Sequence, residues 1–358
     1  MKPRVLFVSR TRYRLPLDGQ VARKWDALEQ ELDVRVLATG SGGDSRFHLV
    51  RASSPAFYLT LPLHIAREAR VFAPDVIVAQ SPYEAWAALA ARTHARVLLE
   101  VHGDWSTATR LYGSPLRRLA EPVSRAAVRS AVRRADAVRT VSPFTSSLVR
   151  ELGVEPAATF TTYYDASAFT AASPVAVPDV QRALFVGVAE RYKNVRCLAD
   201  AWRRVAPQLP DATLHVVSRG RERAVLEQLV RDLPRQVRWD EWLPSDGVAA
   251  ALDDAAVFVL PSFSEGLPRV AMEAFARGRG VVGARAGGIP DIVEDGVSGL
   301  LVPPDDASAL ADALVRALSE PGLARSLGAG ALAARDRWLQ TPEQFARRMR
   351  DLVDEMIT

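Results

Sequence analysis

The chain carries one cysteine, Cys197, in 358 residues. A disulfide framework and a cysteine-based metal site are thereby excluded, and a lone thiol fits a reducing cytosol. Histidine is scarce too, with five residues, so no metal cluster can be assembled by spacing. No two aspartates stand two apart, which removes the commonest paired-aspartate metal signature. No apolar run approaches the ~20 residues needed to span a bilayer. The start, Met1-Lys2-Pro3-Arg4, enters an apolar strand without a signal-peptide core. The formal charge of +4 is small, and no nucleic-acid partner is expected. A dehydrogenase reading lacks its fingerprint, since no Gly-x-Gly-x-x-Gly follows the first strand with an acidic residue some ~20 positions on. The expectation is a cytoplasmic chain with no metal and no cofactor.

What is present is apolar mass in alternating short runs. Hydrophobic residues make up 48% of the chain, enough for two full cores of roughly 150–190 residues each. Strand candidates in the first half are residues 4–9, 34–38, 76–80, 96–101 and 137–141; helical pattern fills 20–32, 61–72, 83–93, 116–134 and 144–152. The second half repeats the rhythm, with strands at 183–187, 213–217, 256–260, 281–284 and 299–302. Its helices are expected at 195–206, 222–233, 268–278, 308–319 and 323–337. Strand–helix alternation with continuous apolar strands implies α/β architecture, with parallel sheets covered on both faces. The Pro-, Ala- and Ser-rich segment 170–178 is the best linker. It divides the chain into residues 1–170 and 171–340, and a last helix, 341–358, is free to cross back to the first domain. Two doubly wound, Rossmann-like domains follow, with ligand crevices at the carboxyl ends of their strands.

The most informative stretch is Pro261-Ser262-Phe263-Ser264-Glu265-Gly266-Leu267-Pro268-Arg269-Val270-Ala271-Met272-Glu273. A buried strand precedes it and a helix follows, with Pro268 suited to the helix start because its missing N–H is not needed there. A loop feeding a helix N-terminus offers N–H groups and a positive dipole end to an anion. The carboxylates of Glu265 and Glu273 are acceptor-only groups, ill suited to phosphate and well suited to sugar hydroxyls. Phosphate and polyol recognition side by side suggest a nucleotide sugar. The plain alternative is that both glutamates decorate a helix start, where acidic residues are favoured anyway.

Three motifs carry a resemblance: the Glu265/Glu273 pair, Gly287-Gly288-Ile289-Pro290-Asp291-Ile292-Val293, and Gly299-Leu300-Leu301-Val302-Pro303-Pro304-Asp305-Asp306. Weaker echoes lie at Val101-His102-Gly103-Asp104 and at 135–143. The chain resembles the retaining family-four glycosyltransferases of GT-B fold, two Rossmann-like domains facing a central cleft. The resemblance implies metal-independent transfer of a sugar from a nucleotide diphosphate donor, UDP- or GDP-linked, to a hydroxyl acceptor. It places Glu273 on the donor ribose and Glu265 on the transferred sugar. Ser264, Gly266, Leu267 and Pro268 would face the donor, as would Gly187. Lys193 stands at the diphosphate lysine position, and His102 would lie at the catalytic centre beside the donor sugar.

Several positions depart from the family pattern. Val188 occupies the place of a diphosphate-gripping arginine, and Arg191, three residues on, could take over its role. The first loop lacks the usual Gly-Gly turn and instead carries Arg10, Arg12 and Arg14, which with Asp104 are candidates for the acceptor side; three arginines suit an anionic acceptor or form a solvated basic loop. Only Asp165 matches in Thr162-Tyr163-Tyr164-Asp165. The helix at 116–134 carries arginines from Arg117 to Arg134 in a stripe that could touch anionic lipid at the inner membrane face, although its small Ala and Val residues favour a solvated face. Val188 and the altered first loop also leave open a catalytically silent sugar-nucleotide-binding partner subunit. A nucleotide-sugar epimerase is the third reading on this scaffold.

Overall fold

A computed structural model describes residues 1–51, 54–105 and 121–358. The chain divides into two compact units: one built from residues 1–103, 121–165 and 340–358, the other centred on residues 166–339.

In the first unit the apolar run Val5-Leu6-Phe7-Val8 is buried to within 1% on both faces, the signature of a central parallel strand. The elements in order are β1 (Arg4–Arg14), α1 (Gly19–Glu31), β2 (Asp33–Ser41), β3 (Phe47–Val50), α2 (Ser54–Phe72), β4 (Val76–Ala79) and α3 (Pro82–Ala90). They continue with β5 (Arg96–Val101), α4 (Glu121–Arg134), β6 (Ala137–Thr140), α5 (Pro143–Arg150) and β7 (Ala158–Thr159). The strands form one parallel sheet in the order β3-β2-β1-β4-β5-β6-β7. The order reverses between β1 and β4, so the loops leaving those strands open the crevice where doubly wound folds bind ligands.

The second unit contains β8 (Arg182–Val188), α6 (Val195–Val205), β9 (Thr213–Arg219), α7 (Arg223–Asp232), β10 (Val237–Asp240) and α8 (Ser245–Asp253). It ends with β11 (Val257–Leu260), α9 (Arg269–Ala276), β12 (Gly280–Ala284), β13 (Gly299–Val302), α10 (Ala307–Ser319) and α11 (Leu323–Ala334). The sheet order is β10-β9-β8-β11-β12-β13, all parallel, with its switch point between β8 and β11. The last helix, α12 (Pro342–Ile357), belongs to the first unit. Phe345, Met349, Leu352, Val353 and Met356 are buried in that unit's core, and the Arg350 guanidinium donates to the Glu31 carbonyl at 2.8 Å, closing the end of α1. A Thr341–Gln344 capping box starts the helix.

The structure differs from the sequence-based expectation mainly at edges. β3, β7 and β10 are edge strands of four residues or fewer, too short to register as strands. The helix Ser245–Asp253 starts at Pro244 without a side-chain cap, so it lacks a start signal. α2 starts at Ser54 and runs through Pro62, earlier than the expected start at residue 61. β1 continues past Ser9 after a bulge, pairing Arg12 with Thr39 and Arg14 with Ser41 of β2. Arg10, Arg12 and Arg14 therefore sit on a strand extension rather than in a loop.

Candidate active site

In the second unit, the two loops at the switch point carry the donor-side candidates. After β8 the chain makes one 3-10 turn, Arg191–Lys193, and enters α6 through Asn194. Asn194 is held in the left-handed region at φ 53°; its side chain accepts from the Cys197 N–H and donates to Asp305 at 3.1 Å. That hook fixes the backbone of Lys193. After β11 the loop 261–268 leads into α9, whose N-terminus no side chain caps. The Phe263 N–H donates to the Tyr192 carbonyl at 2.8 Å and ties the two loops together.

Between them stands an ion pair. Lys193 Nζ lies 2.6 Å from Glu265 Oε1, with the two side chains only 9% and 11% exposed. The stem of Lys193 runs over Gly187, where a Cβ would come within 3.5 Å of Lys193 Cε. The Gly287-Gly288 turn clamps the other partner. Gly288 N–H donates to the Glu265 carbonyl at 2.7 Å, and Gly287 sits at φ +56° with its missing Cβ only 2.5 Å from that same oxygen. Gly288 has equally little room, 2.3 Å from the Gly266 carbonyl. Both glycines are required for this approach.

Glu273, in the second turn of α9, is half-buried and makes no side-chain hydrogen bond or ion pair with any described residue. Burial pushes its carboxyl pKa up, with Arg269 and Lys193 pulling the other way. An unpartnered, partly buried carboxylate costs stability unless something donates to it, and hydroxyl pairs are suited to do so. Ser264, Gly266 and Leu267 are half-buried beside it and Pro268 is buried. Val188 is 41% exposed, so no cation occupies the position where an arginine was expected. Arg191 is exposed and its guanidinium has no partner among the described residues.

In the first unit, Arg10, Arg12 and Arg14 are all exposed, and none of their guanidiniums is ion-paired among the described residues. Beyond the bulge, Arg12 and Arg14 share one face of the strand extension, while Tyr13 turns inward against Trp25 and Phe47. The sequence reading missed what anchors this extension. Glu84, buried in the first turn of α3, accepts from the Arg10 N–H at 3.2 Å and from the Tyr58 hydroxyl at 3.2 Å.

His102 follows β5 and is braced rather than free. Its Nε2 lies 3.2 Å from Glu100 Oε2 and its Nδ1 3.2 Å from Thr162 Oγ1. An ionised carboxylate only accepts, so Nε2 carries the proton. Glu100 and Arg139 form an ion pair with side chains 2% and 0% exposed, and Arg139 also donates to the carbonyls of Phe160 and Thr161. Burial would push the Glu100 carboxyl up, but Arg139, His102 and Lys24 together outweigh it and hold the pKa at about 2. Asp104 is half-buried two residues beyond His102, and Asp165 is paired with Arg23 at 3.0 Å.

Arg117 and Arg118 of the expected basic stripe lie outside the described residues. On α4, Arg125 is tied to Glu121 at 2.5 Å and Arg133 donates to the Leu152 carbonyl, which leaves Arg129 and Arg134 exposed without partners among the described residues. Among the described residues no helix is long and apolar enough to cross a membrane, and no three His, Cys, Asp or Glu side chains converge as a metal site. His215 is buried in β9 against Asp240 at 2.8 Å.

A family model described as Glycosyltransferase Family 4 matches residues 21–163, and one described as Glycosyl transferases group 1 matches residues 180–320. The chain belongs to the family-four glycosyltransferases. It is 33% identical over 209 residues to a D-inositol 3-phosphate glycosyltransferase of Corynebacterium urealyticum, covering 52% of this chain and 49% of that protein. A relative of the same name from Thermobifida fusca is 30% identical over 234 residues, 62% of this chain and 54% of its own. The chain thus spans about half the length of the curated relatives it matches. Among solved structures, the sucrose-phosphate synthase of Thermosynechococcus elongatus superposes with a TM-score of 0.79 at 21% identity, covering 99% of both chains. The Anabaena protein HepE, solved in complex with UDP-glucose, gives 0.70 at 18% identity, again over 99% of both. These structural neighbours are of GT-B fold, and this chain shares their paired Rossmann-like domains.

Proposed function

We propose that this chain transfers a glycosyl unit from a nucleoside diphosphate sugar to a hydroxyl acceptor with retention of configuration. The observation that carries the reading is the arrangement at the second unit's switch point. A fixed lysine, an uncapped helix start and two carboxylates, one of them unpartnered, supply cation, N–H donors and hydroxyl acceptors in one place. Lys193 would grip the diphosphate, Glu273 the ribose hydroxyls and Glu265 the sugar. UDP is the first nucleotide to try, because HepE was solved with UDP-glucose.

In the reaction the bond from the anomeric carbon to the diphosphate oxygen breaks and a bond from that carbon to the acceptor oxygen forms. The acceptor proton passes to the departing diphosphate oxygen on the same face, so no separate general base is needed. The braced ring of His102 agrees with this, since both of its nitrogens are already engaged. Charge accumulating on the diphosphate is what Lys193 stabilises, and a cation that acts only as charge develops speeds the step. The exposed Arg10, Arg12 and Arg14 favour an anionic acceptor, such as a phosphorylated or carboxylated hydroxyl compound.

The reading includes no membrane contact. Two free arginines on α4 would contribute only about 1 kcal/mol each at an anionic surface, and its exposed apolar residues are too few to add insertion.

Incubation with nucleotide sugars in the absence of acceptor tests the assignment. Slow release of nucleoside diphosphate is expected from at least one of them, abolished in Glu265→Ala. A protein that binds nucleotide sugars without ever releasing diphosphate would be the silent partner subunit instead.

A further inference from the structure

The Lys193–Glu265 contact pairs two groups that the reading above assigns to different parts of the donor. Among the described residues each is the other's only ion-pair partner: Nζ to Oε1 is 2.6 Å and both side chains are about nine-tenths buried. Neither backbone can withdraw to relax the pair. Lys193 sits in a 3-10 turn, its N–H donating to the Glu190 carbonyl at 2.9 Å, followed by the Asn194–Asp305 hook. Glu265 is pinned by the Gly288 N–H and by the near-contact of Gly287. Only the side chains can move.

We propose that Glu265 is a built-in competitor for Lys193, so that the site favours the intact sugar donor over the nucleoside diphosphate left after transfer. The inference rests on the nucleotide-sugar reading. A diphosphate that engages Lys193 takes the place of Glu265 and strands a buried carboxylate. Removing one partner of a buried pair is strongly unfavourable unless the other finds new donors. The hydroxyls of a bound sugar are such donors, and a bare diphosphate brings none in their place. Once the sugar has left on the acceptor, Glu265 returns to Lys193 and the product diphosphate loses its cation. Glu273 cannot play this part, because it holds no partner to release.

The deciding experiment is titration calorimetry of the full chain with UDP, GDP and ADP and with the glucose ester of each. In the wild type, the glucose ester that binds should do so more tightly than its parent diphosphate. In Glu265→Gln the parent diphosphate should bind about fivefold tighter or more, because its competitor has lost its charge, while the ester gains nothing. In a Lys193→Met background the same Glu265→Gln change should no longer help the diphosphate, the coupling expected of a direct pair. If Glu265→Gln does not fold, as melting curves would reveal, Glu265→Asp should shift affinity in the same direction by shortening the reach to Lys193. A wild type that binds a diphosphate which Glu265→Gln binds no tighter overturns the competitor role and leaves the functional reading intact. A wild type that binds none of the six probes overturns both.

Discussion

Replacing Lys193 with alanine should lower the rate of sugar transfer by about 10²–10³-fold, the loss typical when one fixed donor to a developing negative charge is removed. The expectation is at the upper end here for a reason particular to this chain. Where the family pattern pairs an arginine with the lysine, this protein has Val188, exposed and uncharged, so on the proposed reading Lys193 would carry the task with less help. Arg191, two residues before Lys193, is exposed and its guanidinium is unpaired among the described residues, which makes it the first candidate to share the task. A Lys193→Ala rate within threefold of wild type, in a variant that melts normally, would show that the cation is elsewhere. Residual activity that disappears on adding Arg191→Ala would identify where.

The largest stability effect should come from Glu100→Ala. Glu100 and Arg139 are fully buried and mutually paired, so alanine leaves a guanidinium with no counter-charge. Such a loss typically costs about 3–5 kcal/mol, or a fall in melting temperature of about 10 °C for a unit of this size. The pair also imposes a pH dependence. Its folded-state pKa of about 2 lies below the ordinary 4.5, so its stabilisation is fully present above about pH 4.5 and vanishes as the pH drops through about 2. Acid melting of wild type against Glu100→Gln should therefore converge at the low end of that window. Parallel curves from pH 6 to pH 2 would mean the carboxylate contributes nothing. Because Glu100 also holds the His102 ring, the Gln variant, which keeps an acceptor oxygen, should retain more transfer activity than Ala.

The two-sheet architecture was legible in the sequence because central parallel strands are apolar on both faces, as in Val5–Val8 and Val257–Leu260, and cannot be mistaken for alternating surface strands. The edges were not, because strands as short as β7 and β10, of two and four residues, leave too little pattern to read. The donor-side loops were legible as motifs, since a loop that must offer backbone N–H groups and pack glycine against glutamate permits few residue types. What the motifs did not reveal was the wiring. Glu265 and Lys193 stand 72 positions apart, and only the parallel order β8-β11 makes their loops neighbours. The same holds for Asn194 and Asp305, although an Asn immediately before a helix was a readable cap signal. Arg10, Arg12 and Arg14 were misplaced in a loop because charged residues at every second position look like solvated coil. The buried Glu84 that holds the extension in place is visible only once β1 and β4 are adjacent. His102 was found by its strand-end position, while its bracing by Glu100 and Thr162 depends on contacts across β5, β6 and β7.

Thermal melting of the full chain, with and without a panel of nucleoside diphosphates and their sugar esters, is the most direct check on the second unit as the donor site. A ligand that binds only the folded protein raises its melting temperature. At least one nucleotide sugar should do so for the wild type, and Glu273→Ala should weaken that binding at least about tenfold, cutting the shift at subsaturating ligand. A stabilising nucleotide whose effect is the same in Glu273→Ala would place the donor away from these loops and contradict the account.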